Sequence, residues 1–468
     1  MNKSLSFLLW SLAVLLMFAS CRSTSPMCYQ RKNWAECAPV PTCRPMACCE
    51  EQACREEFAA SEEPEECPQK AAVARPGDPE WFPIIAWGTN QRWLPGIGQS
   101  FYDEMAECGI TVGGFACGGI EEMDMIAKAG MVAYVYDGDL VSSFWAPDEP
   151  HDWAAIAQKV VDEYGGHPAT YGYWLQDEPD TKRFAALNAA YQELRQRDPD
   201  HDIYINLLPD YASPEQLGAP DYEAYVEQFL DEFHPYWLGF DYYSLFEDDA
   251  PLRKTYWQNL AVVREAALRH GVYFQYCTLA VGHLPYRCPS EDDLFFEVFS
   301  GLTYGAKGIA YFCYLTPQLG NYRNAPIDVW GNKTEVWYCM RRVNNAVRCL
   351  APVLNQLEST AVYHIMPGER MPREDAPGEE SLITGLDGNP EANLAVGEFR
   401  HRETGETYVM VLNKNLKKSL SIGGLLWRTK PAKVQVVSQA RPNHFQNFAG
   451  EGDWLAPGHA ALLRVIWE

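Results

Sequence analysis

Basic charge is what this chain lacks. It has 38 Lys and Arg against 63 Asp and Glu, a formal net charge of -25 over 468 residues. Holding nucleic acid takes a basic face that neutralises phosphates, so the charge argues against a nucleic-acid partner. Glycine-rich phosphate loops are missing too. None follows the first predicted strand, which argues against an open doubly wound sheet that cradles a nucleotide. There is no zinc or calcium signature and no Ser-His-Asp order, so neither metal nor cofactor is expected. No internal repeat is visible. The longest apolar run, Leu5 to Phe18, is shorter than the roughly 18 residues of a membrane span.

That run does have the marks of an export signal. Lys3 precedes it, and Ala19 and Ser20 follow it before Cys21. A cysteine directly after small residues resembles the bacterial lipobox. The resemblance implies cleavage before Cys21, lipidation of Cys21, and an exported protein anchored to the bacterial membrane. Eight of the 15 cysteines lie at or before Cys67. A disulfide-bonded stalk suits that spacing better than a metal site. The acidic stretch "EEFAASEEPEECPQKAA" then reads as a linker.

From Glu80 short apolar runs alternate with helical segments. The predicted strands are "FPIIAWG" (82–88), "TVGGFAC" (111–117), "MVAYVYDG" (131–138), "TYGYWLQDEP" (170–179), "DIYINLLP" (202–209), "WLGFDYYSL" (237–245), "VYFQYCTLAVG" (272–282) and "KGIAYFCYL" (307–315). Helical patterns such as "RKTYWQNLAVVREAALRHG" separate them. Strands alternating with helices pair in parallel, and eight such units predict a (β/α)8 barrel. Beyond the helix "VWYCMRRVNNAVRCLAPVL" the texture is all-β, as in "LAVGEFRHRETGETYVMVLNKN" and "GHAALLRVIWE". The expected organisation is therefore a signal at 1–20, a tether at 21–78, a barrel at 79–357 and a β-sandwich at 358–468.

In such barrels reactive groups sit at the C-terminal ends of strands. The third predicted strand ends in Asp137. The fourth ends in Gln176, Asp177 and Glu178, the fifth offers Asn206, the sixth Asp241 and Tyr243, and the eighth Tyr314. The period of two puts Gly172, Trp174, Gln176 and Glu178 on one face. A tapering lumen needs small residues, so that face is expected inward, with Asp177 on the other. Pro179 biases Glu178 to an extended backbone and suits a first helical position. On strand six the face holding Gly239, Asp241 and Tyr243 is expected inward. Two carboxylates converging on an aromatic cleft suit glycoside hydrolysis, one giving a proton and the other attacking or activating water. Glu178 is the expected acid. Asp177 is expected to support it, and Asp241 is the candidate second carboxylate. Asp137 is a sugar-hydroxyl ligand or a loop cap. Gln176, Asn206, Tyr243, Tyr314, Trp87 and Trp145 are candidate sugar contacts, with Trp93 and Trp330 as further platforms.

"YWLQDEP" at the end of a fourth barrel strand resembles the Asn-Glu-Pro signature of clan A glycoside hydrolases. Its Asp-Glu-Pro form is similar to the family 42 β-galactosidases and agarase-like barrels. "GLTYGAKGIAYFCY" and a trailing sandwich ending "WLAPGHAALLRVIW" are similar to the same group. The resemblance implies that Glu178 is the general acid/base and that the substrate is a carbohydrate. The clan also places its nucleophile glutamate at the end of strand seven. Here strand seven carries no acid, and Gln275 is the nearest in shape. Three readings follow: Asp241 takes the second role, the mechanism is not the clan's, or the barrel is a non-catalytic carbohydrate-binding lipoprotein.

Overall fold

The computed structural model describes residues 77–89, 97–142, 151–248, 250–318, 320–366, 376–389, 391–449 and 453–468. The expected signal, Cys21, the tether cysteines, Trp93 and Trp145 lie outside these residues. Eight parallel strands close into a barrel in chain order: β1 (Ile84–Ala86), β2 (Val112–Ala116), β3 (Val132–Val135), β4 (Thr170–Asp177), β5 (Asp202–Leu207), β6 (Trp237–Asp241), β7 (Tyr273–Leu279) and β8 (Gly308–Phe312). The expected (β/α)8 barrel is what the chain forms. Around it run α1 (Gln99–Glu107), α2 (Ile120–Lys128), α3 (Trp153–Val160), α4 (Phe184–Arg197), α5 (Pro214–Leu217), α6 (Tyr222–Phe233), α7 (Tyr256–His270), α8 (Glu291–Thr303) and α9 (Glu335–Leu354).

The period of two divides the barrel into two layers. Ile85, Val112, Phe115, Tyr134, Trp174, Tyr204 and Cys277 pack in the lumen. Ile84, Tyr173, Leu175, Ile205 and Leu238 pack outward against the helices. Two glycines make room for the lumen's phenols. A Cβ on Gly172 would stand 3.0 Å from the Tyr134 ring and 2.2 Å from the Asp202 carbonyl oxygen. One on Gly239 would stand 2.7 Å from the Tyr204 ring. The inward reading of both glycines therefore holds.

In the strand-four motif the alternation breaks. Trp174 pairs with Tyr204, Gln176 with Ile205 and Asp177 with Asn206, so a bulge sets two residues of β4 against one of β5. Beyond it the phase is reversed. Asp177, expected outward, pairs with inward-facing Asn206. Gln176, expected inward, pairs with Ile205 of the outer layer. Glu178 still donates its backbone N–H to the Asn206 carbonyl, 2.8 Å. Its φ is then +45°, not the extended value that Pro179 favours. Pro179 does not open a helix either. A 3₁₀ turn at Thr181–Arg183 comes first, and α4 starts at Phe184.

After α9 the chain is β. One antiparallel sheet has the order β16-β15-β18-β12-β11-β9, built from β9 (Leu357–Ile365), β11 (Leu394–His401), β12 (Thr407–Asn413), β15 (Lys433–Val437), β16 (Phe445–Asn447) and β18 (Ala460–Ile466). Two short pairs, β10 (Ile383–Leu386) with β14 (Leu425–Trp427) and β13 (Leu420–Ser421) with β17 (Trp454–Leu455), cover one face over a core of Val396, Val409, Val411 and Leu463. The other face rests on the barrel's α8. Any Cβ on Gly397 would stand 2.1 Å from the Thr303 carbonyl oxygen, and His459 stacks on Phe295 with ring centroids 3.8 Å apart.

Candidate active site

Three carboxyl groups meet at the C-terminal end of the barrel. Asp177 and Glu178 come from the end of β4 and Asp241 from the end of β6. All three line one cavity with Asn206, Tyr243, Cys277, Trp87 and Phe312. Asn206 holds the acids in register. Its Nδ2 donates to Asp177 Oδ1 at 3.1 Å and to Asp241 Oδ1 at 2.9 Å. The Tyr204 hydroxyl in turn donates to Asn206 Oδ1, 3.2 Å. An amide between two carboxylates presents an N–H to each, and this orientation is fixed by the phenol behind it.

The Glu178 and Asp241 carboxyls share the cavity and influence one another's ionisation. Burial, then the negative charges of Asp241 and Asp177, push the Glu178 carboxyl well above the usual range. Asp177 is raised to about 7, chiefly by burial, with the Asn206 bond opposing. Burial and then the charge of Asp177 raise Asp241 to about 8, while the bond from Asn206 opposes. Like charges in one cavity cannot all ionise at neutral pH. Asp241 is only 2% exposed, whereas Asp177 and Glu178 are half-buried.

Through Asn206, Asp241 is gathered to the same side of the cavity as Asp177. A second carboxylate for glycoside cleavage is needed at the other face of the sugar. Strands β1, β7 and β8 complete the cavity with Trp87, Cys277 and Phe312. Among the described residues, the wall facing the acids is thus apolar and aromatic. Gln275 on β7 is buried and is not part of the lining.

The other expected contacts divide. Trp87, Asn206 and Tyr243 line the cavity. Tyr314 does not. It is fully buried between barrel and helices, its ring 5.7 Å from Phe101 and its hydroxyl accepting from Trp337 Nε1 at 3.1 Å. Asp137 caps its own turn, accepting from the backbone N–H groups of Asp139 and Leu140 at 2.9 and 3.2 Å. Gln176 is buried and donates to the Asp177 carbonyl, 3.1 Å. Trp330 is 80% exposed on the loop after β8. Cys277 and Phe312 were not expected in the lining. Cys277 follows Gln275 at the period of two, a signal that a search confined to acids passes over. No cluster of three or more His, Cys, Asp or Glu among the described residues is placed to hold a metal ion.

No family model and no curated protein sequence matches the chain. Its shape does match solved structures. A protein described as a glycoside hydrolase superposes with a TM-score of 0.52 at 11% identity, over 83% of this chain and 93% of that one. The chain has the fold of glycoside hydrolases. A family 5 glycoside hydrolase from Bacteroides vulgatus ATCC 8482 gives the same score and identity, over 83% and 89% of the two chains. A family 42 β-galactosidase from G. stearothermophilus reaches a TM-score of only 0.45 at 12% identity, over 59% and 57%. That likeness is too distant to single out family 42.

Proposed function

We propose that the protein is a glycoside hydrolase acting on a polysaccharide or oligosaccharide, with Glu178 as the proton donor. The observation that carries this reading is the state of Glu178. It stands at the C-terminal end of β4 in one cavity with Asp177 and Asp241, where burial and these neighbours favour its protonated form. A general acid must carry its proton at the working pH, and this is how a barrel keeps one on a glutamate. Asp241 tunes that acid, and Asn206 positions both aspartates. The purified protein is expected to release reducing ends from at least one member of a neutral polysaccharide panel. Sugar binding without turnover on the whole panel would instead identify a carbohydrate-binding protein.

The same proposal places the enzyme outside the cytoplasm on a lipid anchor. Its support is the apolar run followed by Ala19, Ser20 and Cys21. A Cys21→Ser variant is expected to leave the membrane fraction, since each buried lipid methylene contributes about 0.8 kcal/mol to anchoring. Pelleting of the variant with membranes would refute the anchor.

A further inference from the structure

On the glycosidase reading, the described residues of the site lack one part. Glycoside cleavage needs something to meet the anomeric carbon on the face away from the leaving group. The acids come from β4 and β6 and are gathered by a single amide. Across the barrel, β1 and β8 supply Trp87 and Phe312, and β7 supplies Cys277. The Cys277 thiol is a poor substitute, because burial first and the neighbouring carboxylates second raise it well above its usual range.

We propose that the missing nucleophile belongs to the substrate, and that this site hydrolyses glycosides of 2-acetamido sugars. The acetamido carbonyl oxygen can reach its own anomeric carbon and close a five-membered ring, a neighbouring-group reaction known as substrate assistance. Such a substrate needs from the protein an acid, an acceptor for its amide N–H, and an apolar surface for its methyl group. Adjacent residues supply the first two. Glu178 has the proton, and half-buried Asp177, aimed inward by the bulge, has the acceptor. The aromatic wall supplies the third. A separate observation also points to a polar ligand here. Trp87 is 3% exposed and lines the cavity, and its indole N–H has no hydrogen-bond partner among the described residues. A buried donor of this kind is costly unless something accepts from it.

The steps balance. Glu178 gives its proton to the glycosidic oxygen as the bond to C1 breaks, and the bonding electrons leave with the alcohol. The acetamido oxygen bonds to C1, forming an oxazolinium whose N–H is held by Asp177. Water then attacks C1 and gives a proton to Glu178, the ring C1–O bond breaks, and the acetamido group is restored. Two displacements retain the configuration. The sum is glycoside plus water giving sugar plus alcohol. Only a 1,2-trans glycoside lets the acetamido group attack from behind, which selects the β-anomers of gluco- and galacto-configured sugars.

The test compares 4-nitrophenyl β-glycosides of glucose, galactose, N-acetylglucosamine and N-acetylgalactosamine on the full-length protein. One acetamido sugar is expected to turn over at least about 100-fold faster than its parent hexose, a small part of what intramolecular attack can supply. Replacing acetamido by trifluoroacetamido should lower kcat more than 10-fold, because the carbonyl oxygen becomes a weaker nucleophile. Asp177→Asn should weaken that dependence, which a merely structural role would not. Parent hexosides cleaved as fast as acetamido sugars would overturn substrate assistance and leave the glycosidase reading standing. Cleavage of none of these, with no release from polysaccharides, would remove both.

Discussion

Glu178→Gln is expected to lower kcat by about 10²–10⁴-fold, the usual worth of a general acid, while folding and sugar binding persist. The substitution keeps shape and length. Its amide can occupy the carboxyl's place beside Asp241 and Asp177, so the cluster need not rearrange. What is lost is a proton that can move to the leaving oxygen. Aryl glycosides with very acidic phenols should be spared, because they leave without help, and this contrast separates lost acid catalysis from lost fold. An active wild type whose Gln variant turned over poor leaving groups at an undiminished rate would remove Glu178 from the reaction. The pH profile should agree. Activity needs the protonated carboxyl, and burial together with Asp241 and Asp177 raises its pKa. The alkaline limb of kcat/KM should therefore lie well above the range of an ordinary glutamate.

How much of this was legible in the sequence follows from what each feature depends on. The eight strands were visible because their apolar runs are short, separated by helical periods and bounded by turns. Gly172 and Gly239 could be read as inward because a lumen filled by Tyr134 and Tyr204 leaves no room for a Cβ. The reach of Asp177, Glu178 and Asp241 toward one mouth followed from their places at strand ends. The bulge after Trp174 was not legible. It is a pairing property of β4 with β5, and it reverses the face of every later residue on the strand. Gln176 and Asp177 therefore changed sides. The positive φ of Glu178 runs against the local preference set by Pro179. It is held by neighbours distant in sequence, including the Tyr225 hydroxyl that donates to the Pro179 carbonyl at 2.7 Å. Tyr314 follows β8, where the period of two no longer applies, and its ring turns outward. The meeting of Glu178 and Asp241 in one cavity joins residues 63 positions apart, a closeness that no spacing rule could give.

Asp241→Asn is expected to stabilise the fold while impairing the site. Asp241 is raised from the ordinary range to about 8, mainly by burial. An acid with a raised folded-state pKa holds more protons folded than unfolded. Its favourable contribution is complete below the unfolded value near 4 and is lost as pH rises toward about 8. The wild type should thus lose stability across that window, with Asp177 contributing in the same direction up to about 7. Asparagine keeps an oxygen for the Asn206 amide and removes the ionisation. The variant should be more stable than wild type by about 1–3 kcal/mol at pH 8, with little difference at pH 4. Thermal unfolding at the two pH values measures this directly, and equal gains at both would show that the effect is packing and not charge. Catalysis should move the other way. Without the Asp241 charge the Glu178 carboxyl ionises at lower pH, so the alkaline limb of kcat/KM should shift down. Functional sites often keep such unfavourable charges because the reaction uses them. A variant that gained stability at pH 8 with an unmoved alkaline limb would separate Asp241 from the tuning of Glu178.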